Sequence, residues 1–174
     1  MDLSYPIGRF EWKVESSPEQ RRERIDRIQA APARLMAAVR GLSEEQLDTA
    51  YRPGGWTLRQ VVHHLADSHL NSYVRFRLAL TEDAPAIKDY DQERWAELHD
   101  ARRAPVAVSL VLLEALHRRW VQLLRSMAPP DFARTFVHPE LGVVSLDRSL
   151  ALYAWHGDHH IAHITTLRER MAWA

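Results

Sequence analysis

The chain has 174 residues, 23 Lys and Arg against 23 Asp and Glu, ten His and no Cys. Zero net charge argues against a nucleic-acid partner, which needs surplus cations to neutralise phosphates, and leaves no polybasic patch for an anionic membrane. The lack of Cys excludes disulfides, thiolate ligands and a cysteine nucleophile, so a metal site must use imidazole and carboxylate groups.

The length favours one domain spanning residues 1–174. Its start shows no targeting signal, and its apolar runs fall short of the roughly 18 residues that a membrane-spanning helix needs. A cytoplasmic protein is therefore expected. Residues 1–17 mix apolar and turn-forming types and predict an extended N-terminal arm.

The first long helix is predicted to begin at Ser17-Pro18-Glu19, because Ser caps helices, Pro fits the first turn and Glu favours the positive end of the dipole. Apolar residues then recur at helical spacing until Gly41. Pro32 lies inside this span and is expected to kink or interrupt the helix.

The middle of the chain predicts a short capped turn at 43–47 and a second long helix from Thr57 to about Thr81. Residues 82–108 contain several Pro and turn-like breaks around one short helical piece at 93–98. Such a stretch is a long crossover rather than a tight hairpin.

A third helix is predicted from Ser109 to about Met127, and Pro129-Pro130 ends it. Weak alternation over 135–146 around a Pro-Glu-Leu-Gly turn predicts a small β-hairpin. A fourth helix follows, from 145–147 to about Met171. Four long helices with long connections predict an all-α four-helix bundle.

Histidines are concentrated in the second and fourth helices. In the fourth, His156 and His160 share a face with apolar residues, among them Tyr153 and Ile164. Two imidazoles one turn apart can bind one divalent metal together. His159 and His163 have the same spacing but lie about 60° away by helical geometry, so the apolar face favours His156 and His160.

The third ligand must come from another helix. His64 is the better candidate in the second helix, because it continues one face with Val61 and Ser68, whereas His63 points about 100° away. Asp67 lies next to this face and is predicted to make a hydrogen bond that fixes an imidazole tautomer.

Outside this set, His69 and His117 are interpreted as core residues satisfied by a carbonyl. The tryptophans are interpreted as core residues rather than as stacking partners of a ligand. They are Trp56, Trp95, Trp120 and Trp155.

Four segments together resemble the DinB-like superfamily, and within it the metal-dependent hydrolases of the YfiT type: 54–69, 80–82, 138–140 and 153–163. The resemblance implies a four-helix bundle with an up-up-down-down course, a three-histidine metal site and a homodimer.

By position, the ligands of this family fall on His64, His156 and His160, the same three that the helical faces favour. The implied cofactor is one divalent metal per chain, zinc or nickel. Asp158 lies beside these ligands as a possible departure, because a carboxylate facing the site would alter metal choice.

A metal-dependent hydrolase acting on a small molecule is the first functional hypothesis. Three imidazoles and an open coordination position are typical of a catalytic zinc site, in which the metal lowers the pKa of a bound water. No glutamate of the HExxH type stands beside a ligand. Asp67, His159 and Glu82 are the candidates for the missing base.

Two alternatives stay open. Relatives in the same superfamily are similar to thiol S-transferases that use bacillithiol, mycothiol or glutathione, and a metal-bound thiol needs no separate base. Arg59 or Arg75 would then hold the acidic groups of the thiol. The other alternative is a non-catalytic, metal-stabilised bundle that acts as a stress-response binding module.

Overall fold

The computed structural model describes residues 2–12 and 16–173. In chain order its helices are α1 (Pro18–Val39), α2 (Glu44–Leu47), α3 (Leu58–Thr81), α4 (Gln92–Ala96), α5 (His99–Arg103), α6 (Val106–Ser126) and α7 (Leu146–Met171). A 3-10 turn at Pro129–Ala133 and the strands β1 (Thr135–His138) and β2 (Gly142–Ser145) stand between α6 and α7. Within the described ranges, no helix is long and apolar enough to cross a membrane.

The predicted helix starts are built from local hydrogen bonds. Ser17, Ser43 and Thr57 each accept a bond from the backbone N–H three residues later, where a Gln side chain returns a bond to the cap residue. Each pair satisfies two N–H groups that a helix start leaves free. Ser145 caps α7 in the same way, because its side chain accepts a hydrogen bond from the backbone N–H of Arg148. Four of the predicted boundaries are therefore set by the adjacent sequence.

The prediction was wrong at the start of α6 and in the crossover. The helix begins at Val106, directly after Pro105, and the Ser109 hydroxyl lies 2.7 Å from Nδ1 of His63 instead of capping. The crossover holds two short helices, α4 and α5, where one at 93–98 was predicted. α1 also continues through Pro32 without interruption.

The four-helix bundle and its β-hairpin are confirmed, but the predicted up-up-down-down course is wrong. Arg21 and Arg27 of α1 pair with Asp147 and Asp158 of α7, so these helices run parallel. In α3 and α6, His63 lies next to Ser109, and His69 lies next to His117 further along both helices. These two helices therefore also run parallel to each other.

The two parallel pairs of helices run in opposite directions to each other. On α3 and α7, His64 approaches His156 while Ser68 approaches the earlier residue Tyr153. The course is thus up-down-down-up. The crossover of 82–105 returns the chain along the bundle, which makes α6 parallel to α3. The apolar stripe of a helix does not depend on the direction of its neighbours, so the sequence pattern could not predict this course.

Two apolar clusters fill the bundle, one towards each end. One contains Phe76 and Trp120, and the other contains Leu35, Val61 and Ile164. Along α7 the first cluster uses residues up to Ala154 and the second begins at Ile161. His156, His159 and His160 of α7 lie between these limits, so they form a polar layer in the middle of an otherwise apolar core.

Candidate metal centre

Three histidines converge where α3 crosses α7. Potential ligand nitrogens of His64, His156 and His160 all lie within 4.8 Å of one another. His63, the neighbour of His64, instead directs its ring to Ser109 Oγ and to the Ala104 carbonyl. The face argument therefore selected three imidazoles that the fold does bring together.

The spacing of these nitrogens suits a small cation. Nε2 of His64 and Nε2 of His156 lie 3.3 Å apart. Two ligands of a tetrahedral zinc ion, each about 2.05 Å from the metal, are about 3.3 Å apart. The donor set and the His64–His156 spacing therefore fit one divalent metal held by imidazoles.

A hydrogen-bonded neighbour orients His160. Nδ1 of His160 lies 3.3 Å from Nδ1 of His163, and Nε2 of His163 lies 3.3 Å from the Ser4 carbonyl. Because a carbonyl only accepts, His163 donates from Nε2 and accepts at Nδ1 from His160. This direction leaves Nε2 of His160 with its lone pair free to bind a metal.

Burial keeps the three imidazoles neutral. It lowers the pKa of His64 to about 3, and neighbouring imidazoles add to the effect. Burial likewise lowers the pKa of His156 and of His160 well below the usual value. Neutral imidazole is the form that binds metal, so the polar layer is suited to a cation and not to bound protons.

A cavity of about 290 Å³ opens onto the three histidines. The N-terminal arm, the loop before α3, the short helix α4 and one face of α7 form its wall. The residues that line it are Ser4, Tyr5, Tyr51, Arg52, Gly54, Gly55, Trp56, His64, Gln92, Glu93, Trp155, His156, His159, His160 and His163. A small molecule can therefore approach the candidate metal position from this side.

Asp67 lies outside this arrangement. Burial, and then the carboxylate of Asp100 in the crossover helix α5, raise its pKa to about 6. Within the described residues no imidazole donates a hydrogen bond to its carboxylate. The partner of His156 is instead His69, whose Nε2 lies 3.2 Å from His156 Nδ1.

His159 is the candidate base that does line the cavity. Its ring stacks on Trp155 at 4.4 Å, and its buried Nδ1 has no hydrogen-bond partner among the described residues. Glu82 ends α3, 18 positions after His64, which is about 27 Å along a helix at 1.5 Å per residue. Of the three predicted bases, only His159 lines this cavity.

Glu93 is a further carboxylate at the cavity that sequence reasoning missed. Its Oε2 accepts a hydrogen bond from Trp56 Nε1 at 3.1 Å, and both residues line the cavity wall. The Trp56 ring lies 4.6 Å from that of His64. Trp56 and Trp155 therefore belong to the site, not only to the core. No local pattern signals Glu93, because tertiary packing of the crossover brings α4 here.

The arginine at the cavity is Arg52 rather than Arg59 or Arg75. Arg59 is buried and bonded to Asp48, Glu44 and the Ala104 carbonyl. These partners occupy its guanidinium, so its role is structural. Arg52 donates to the Tyr51 hydroxyl and to the Pro53 carbonyl at the cavity edge.

A second cavity, of about 600 Å³, lies on another side of His156. Arg75 lines it and donates to Asp89 Oδ1 at 2.9 Å, and His138 Nε2 lies 3.6 Å from the same oxygen. Gln92 and His156 line both cavities. His156 of the histidine cluster therefore borders two cavities.

Asp158, the expected departure beside the ligands, faces away from the cluster. Its carboxylate pairs with Arg27 and Arg34 of α1. It therefore ties α7 to α1 and leaves the histidine cluster without an acidic ligand from this position.

Comparisons with known proteins identify the family of this chain. The DinB superfamily model matches residues 27–164. A protein of Bacillus mycoides (strain KBAB4) is 54% identical over 172 residues, covering 99% of each chain, and a protein of Bacillus thuringiensis subsp. konkukian is 55% identical over the same span. Both are named "putative metal-dependent hydrolase".

Two solved structures share the architecture. YfiT from Bacillus subtilis, described as a probable metal-dependent hydrolase with an unusual four-helix bundle topology, is 50% identical with a TM-score of 0.97 over 100% of both chains. The four-helix bundle protein TT2238 is 23% identical with a TM-score of 0.56, covering 87% of this chain and 98% of its own. The second likeness supports the fold alone.

Proposed function

Since this chain belongs to the DinB superfamily, we propose that it is a metal-dependent hydrolase whose His64, His156 and His160 hold one divalent cation. The observation that carries the proposal is the convergence of three neutral imidazoles, two of them buried and that of His156 partly buried, at the end of a cavity. The names of the close relatives support the same class of reaction. Zinc is the first expectation and nickel the second, since imidazole suits both.

A divalent metal with three imidazole ligands and an open position supplies Lewis-acid activation of water and of a substrate oxygen. The chain supplies the rest of the site. Trp56 and Trp155 shield one side, and His159 and Glu93 are placed to take up or return a proton. Arg52 offers a positive charge to an acidic substrate at the cavity edge.

A thiol S-transferase remains the second candidate, and the two cavities favour it. A transferase must hold a thiol and an electrophile at once, whereas hydrolysis needs one substrate and water. The cavity beside Arg52 and the cavity beside Arg75 both reach His156. The metal that His64, His156 and His160 would hold would supply the acidification of the thiol, so no protein base would be required. This reaction would therefore need neither His159 nor Glu93.

We also propose that the chain forms a homodimer. Val108, Val111 and Leu112 lie on one face of α6 and are 62%, 65% and 43% exposed. An apolar strip on a helix of a small domain is typical of a protein–protein contact. This exposed apolar strip is the observation that supports the proposed self-association.

Elemental analysis of the purified protein tests the metal site. We expect about one zinc or nickel per chain, and we expect His64→Ala to lose it while retaining the helical circular-dichroism spectrum. His63→Ala is the matched control, because that imidazole points to Ser109 and Ala104. Equal metal content in wild type and His64→Ala would refute the site.

Turnover assays then separate the reactions. We expect the loaded protein to cleave small activated esters or amides, and His64→Ala to lose that activity. Conjugation of bacillithiol, mycothiol or glutathione to an electrophile, without hydrolysis, would replace the hydrolase by the transferase. A metal-loaded protein inactive in both assays that unfolds without metal would indicate a structural binding module.

A further inference from the structure

A line of imidazoles leads from the candidate metal centre through the core to α1. Nδ1 of His156 lies 3.2 Å from Nε2 of His69, and Nδ1 of His69 lies 2.8 Å from Nε2 of His117. Nδ1 of His117 lies 2.6 Å from the carbonyl oxygen of Ile28. Three helices thus supply consecutive imidazoles, and a fourth supplies the terminal acceptor.

The terminal carbonyl sets the direction of every bond in this line. Because the Ile28 oxygen only accepts, His117 carries its proton on Nδ1 and, being neutral, accepts at Nε2. His69 must then donate from Nδ1 and accept at Nε2. His156 in turn donates from Nδ1. Its Nε2 is left with a free lone pair, directed at His64.

We propose that His69 and His117 are positioning residues that lock His156 into the tautomer able to bind metal through Nε2. The inference rests on the proposed metal site. It assigns a role to two histidines outside the proposed ligand set. His69 bonds directly to His156, and His117 is linked to His156 through His69. Hydrogen bonds of this kind fix the ring orientation of a metal-binding histidine and raise its basicity.

The surroundings of the pair favour a specific role over simple space filling. Both side chains are 1% exposed, and their rings stack at 4.9 Å with an interplanar angle of 14°. Trp120 packs edge-on against both rings. Polar rings are costly in such a core unless each nitrogen is bonded, and here all four nitrogens of His69 and His117 have a partner.

Two substitutions at His117 separate the tautomer lock from packing. His117→Phe keeps an aromatic ring but removes the acceptor for His69, which frees His69 to take the other tautomer and donate to His156. His117→Gln keeps the polarity, since a glutamine amide can donate from its N–H to the Ile28 carbonyl and accept from His69 at its oxygen. The Phe variant should therefore change the tautomer of His156, and the Gln variant should keep the wild-type tautomer.

The first measurement reads the tautomers directly. Two-bond proton–nitrogen NMR correlations of the metal-free protein should show Nδ1–H tautomers at His69, His117 and His156. In His117→Phe the Nε2–H form should appear at His69 and His156. A wild-type protein with Nε2–H at His69 would overturn the proposal, whatever its metal content.

The second measurement is Zn²⁺ affinity by chelator competition, with Co²⁺ absorption as a report of ligand geometry. His117→Phe should bind Zn²⁺ about 10- to 100-fold more weakly, and His117→Gln should recover most of the loss. Trp120→Phe is the packing control, because it changes the edge-on contact with the rings of His69 and His117 but removes none of their hydrogen bonds. It should lower the stability and leave the Zn²⁺ affinity unchanged.

The outcomes distinguish the two proposals. Wild type without Zn²⁺ affinity would defeat the metal site itself. Wild type that binds Zn²⁺ with unchanged affinity in folded His117→Phe would defeat only the tautomer lock. An equal loss of affinity in Trp120→Phe would also defeat it, because the effect would then follow core packing.

Discussion

Nε2 of His64 and Nε2 of His156 face each other at 3.3 Å across two helices that run in opposite directions. The approach depends on the bundle and not on either helix alone. His64 is fixed by its place on α3, and His156 is fixed by a line of side chains from α3 and α6 that ends on α1. The candidate centre therefore joins all four long helices.

Gly157 of α7 packs beside this centre, against Ala31 of α1 and His69 of α3. A Cβ atom at this position would lie 3.5 Å from Ala31 Cβ and 3.7 Å from Cε1 of His69, which is ordinary contact. Gly157→Ala should therefore raise the free energy of unfolding by up to about 1 kcal/mol, because Ala favours the helix.

A larger side chain at the same position has no such space. Gly157→Leu should lower the free energy of unfolding by about 1–3 kcal/mol through overpacking, and it should displace His69. Urea unfolding of both variants checks the pair. If Leu were as well tolerated as Ala, the close packing of α7 on α1 would be refuted.

The sequence predicted the helices and the α7 face shared by His156 and His160 because both depend on short-range rules. Capping residues such as Ser17 and Thr57 act on the adjacent turn, and His156 and His160 share a face by helical spacing alone. The position of His64 on a second such face could also be read from spacing. These parts needed no knowledge of how the helices pack.

Features that depend on packing between distant segments were missed. The direction of α6 follows from the route of the crossover, and Glu93 reaches the cavity only because α4 folds over α3. His69 and His117 were correctly placed in the core, and His117 does bond to a carbonyl. Their link to His156 could not be read from the sequence, since it joins three helices.

Asp67 should make the stability of the protein depend on pH. Its pKa is raised from 3.8 to about 6 in the folded state, mainly by burial, so folding favours the protonated carboxyl. The contribution to stability is full below pH 3.8 and is lost as the pH rises towards 6. Asp67→Asn should therefore raise the melting temperature at pH 7.5 and have little effect at pH 3.5.

The same variant decides whether Asp67 supports an imidazole ligand. Because no imidazole among the described residues bonds to its carboxylate, Asp67→Asn should retain the metal content of the wild type. A loss of metal together with a lower melting temperature at pH 7.5 would restore the role predicted from the sequence.

Arg52 should govern the binding of acidic substrates. Removing its charge in Arg52→Gln should raise KM for an anionic substrate about tenfold, equivalent to about 1.4 kcal/mol, with little change in kcat. A neutral substrate of the same size is the internal comparison and should be unaffected. Equal effects on both substrates would show that Arg52 shapes the cavity and does not recognise charge.

Arg22, an exposed residue of α1 that pairs with Glu19, provides the matched arginine control. Arg22→Gln removes the same charge from the chain but does so away from both cavities. It should leave KM unchanged. A similar rise in KM would mean that the overall charge of the protein, and not Arg52, sets the affinity.

The apolar strip of Val108, Val111 and Leu112 on α6 should hold the homodimer together. Val111→Glu places a charge in the centre of this strip, and burying an unpaired carboxylate costs several kcal/mol. The wild type should therefore sediment as a dimer and the variant as a monomer at equal concentration. Val143→Glu, at a residue of β2 that is 60% exposed, introduces the same charge elsewhere and should remain dimeric. If only Val143→Glu dissociated, the interface would lie at the hairpin and not on α6.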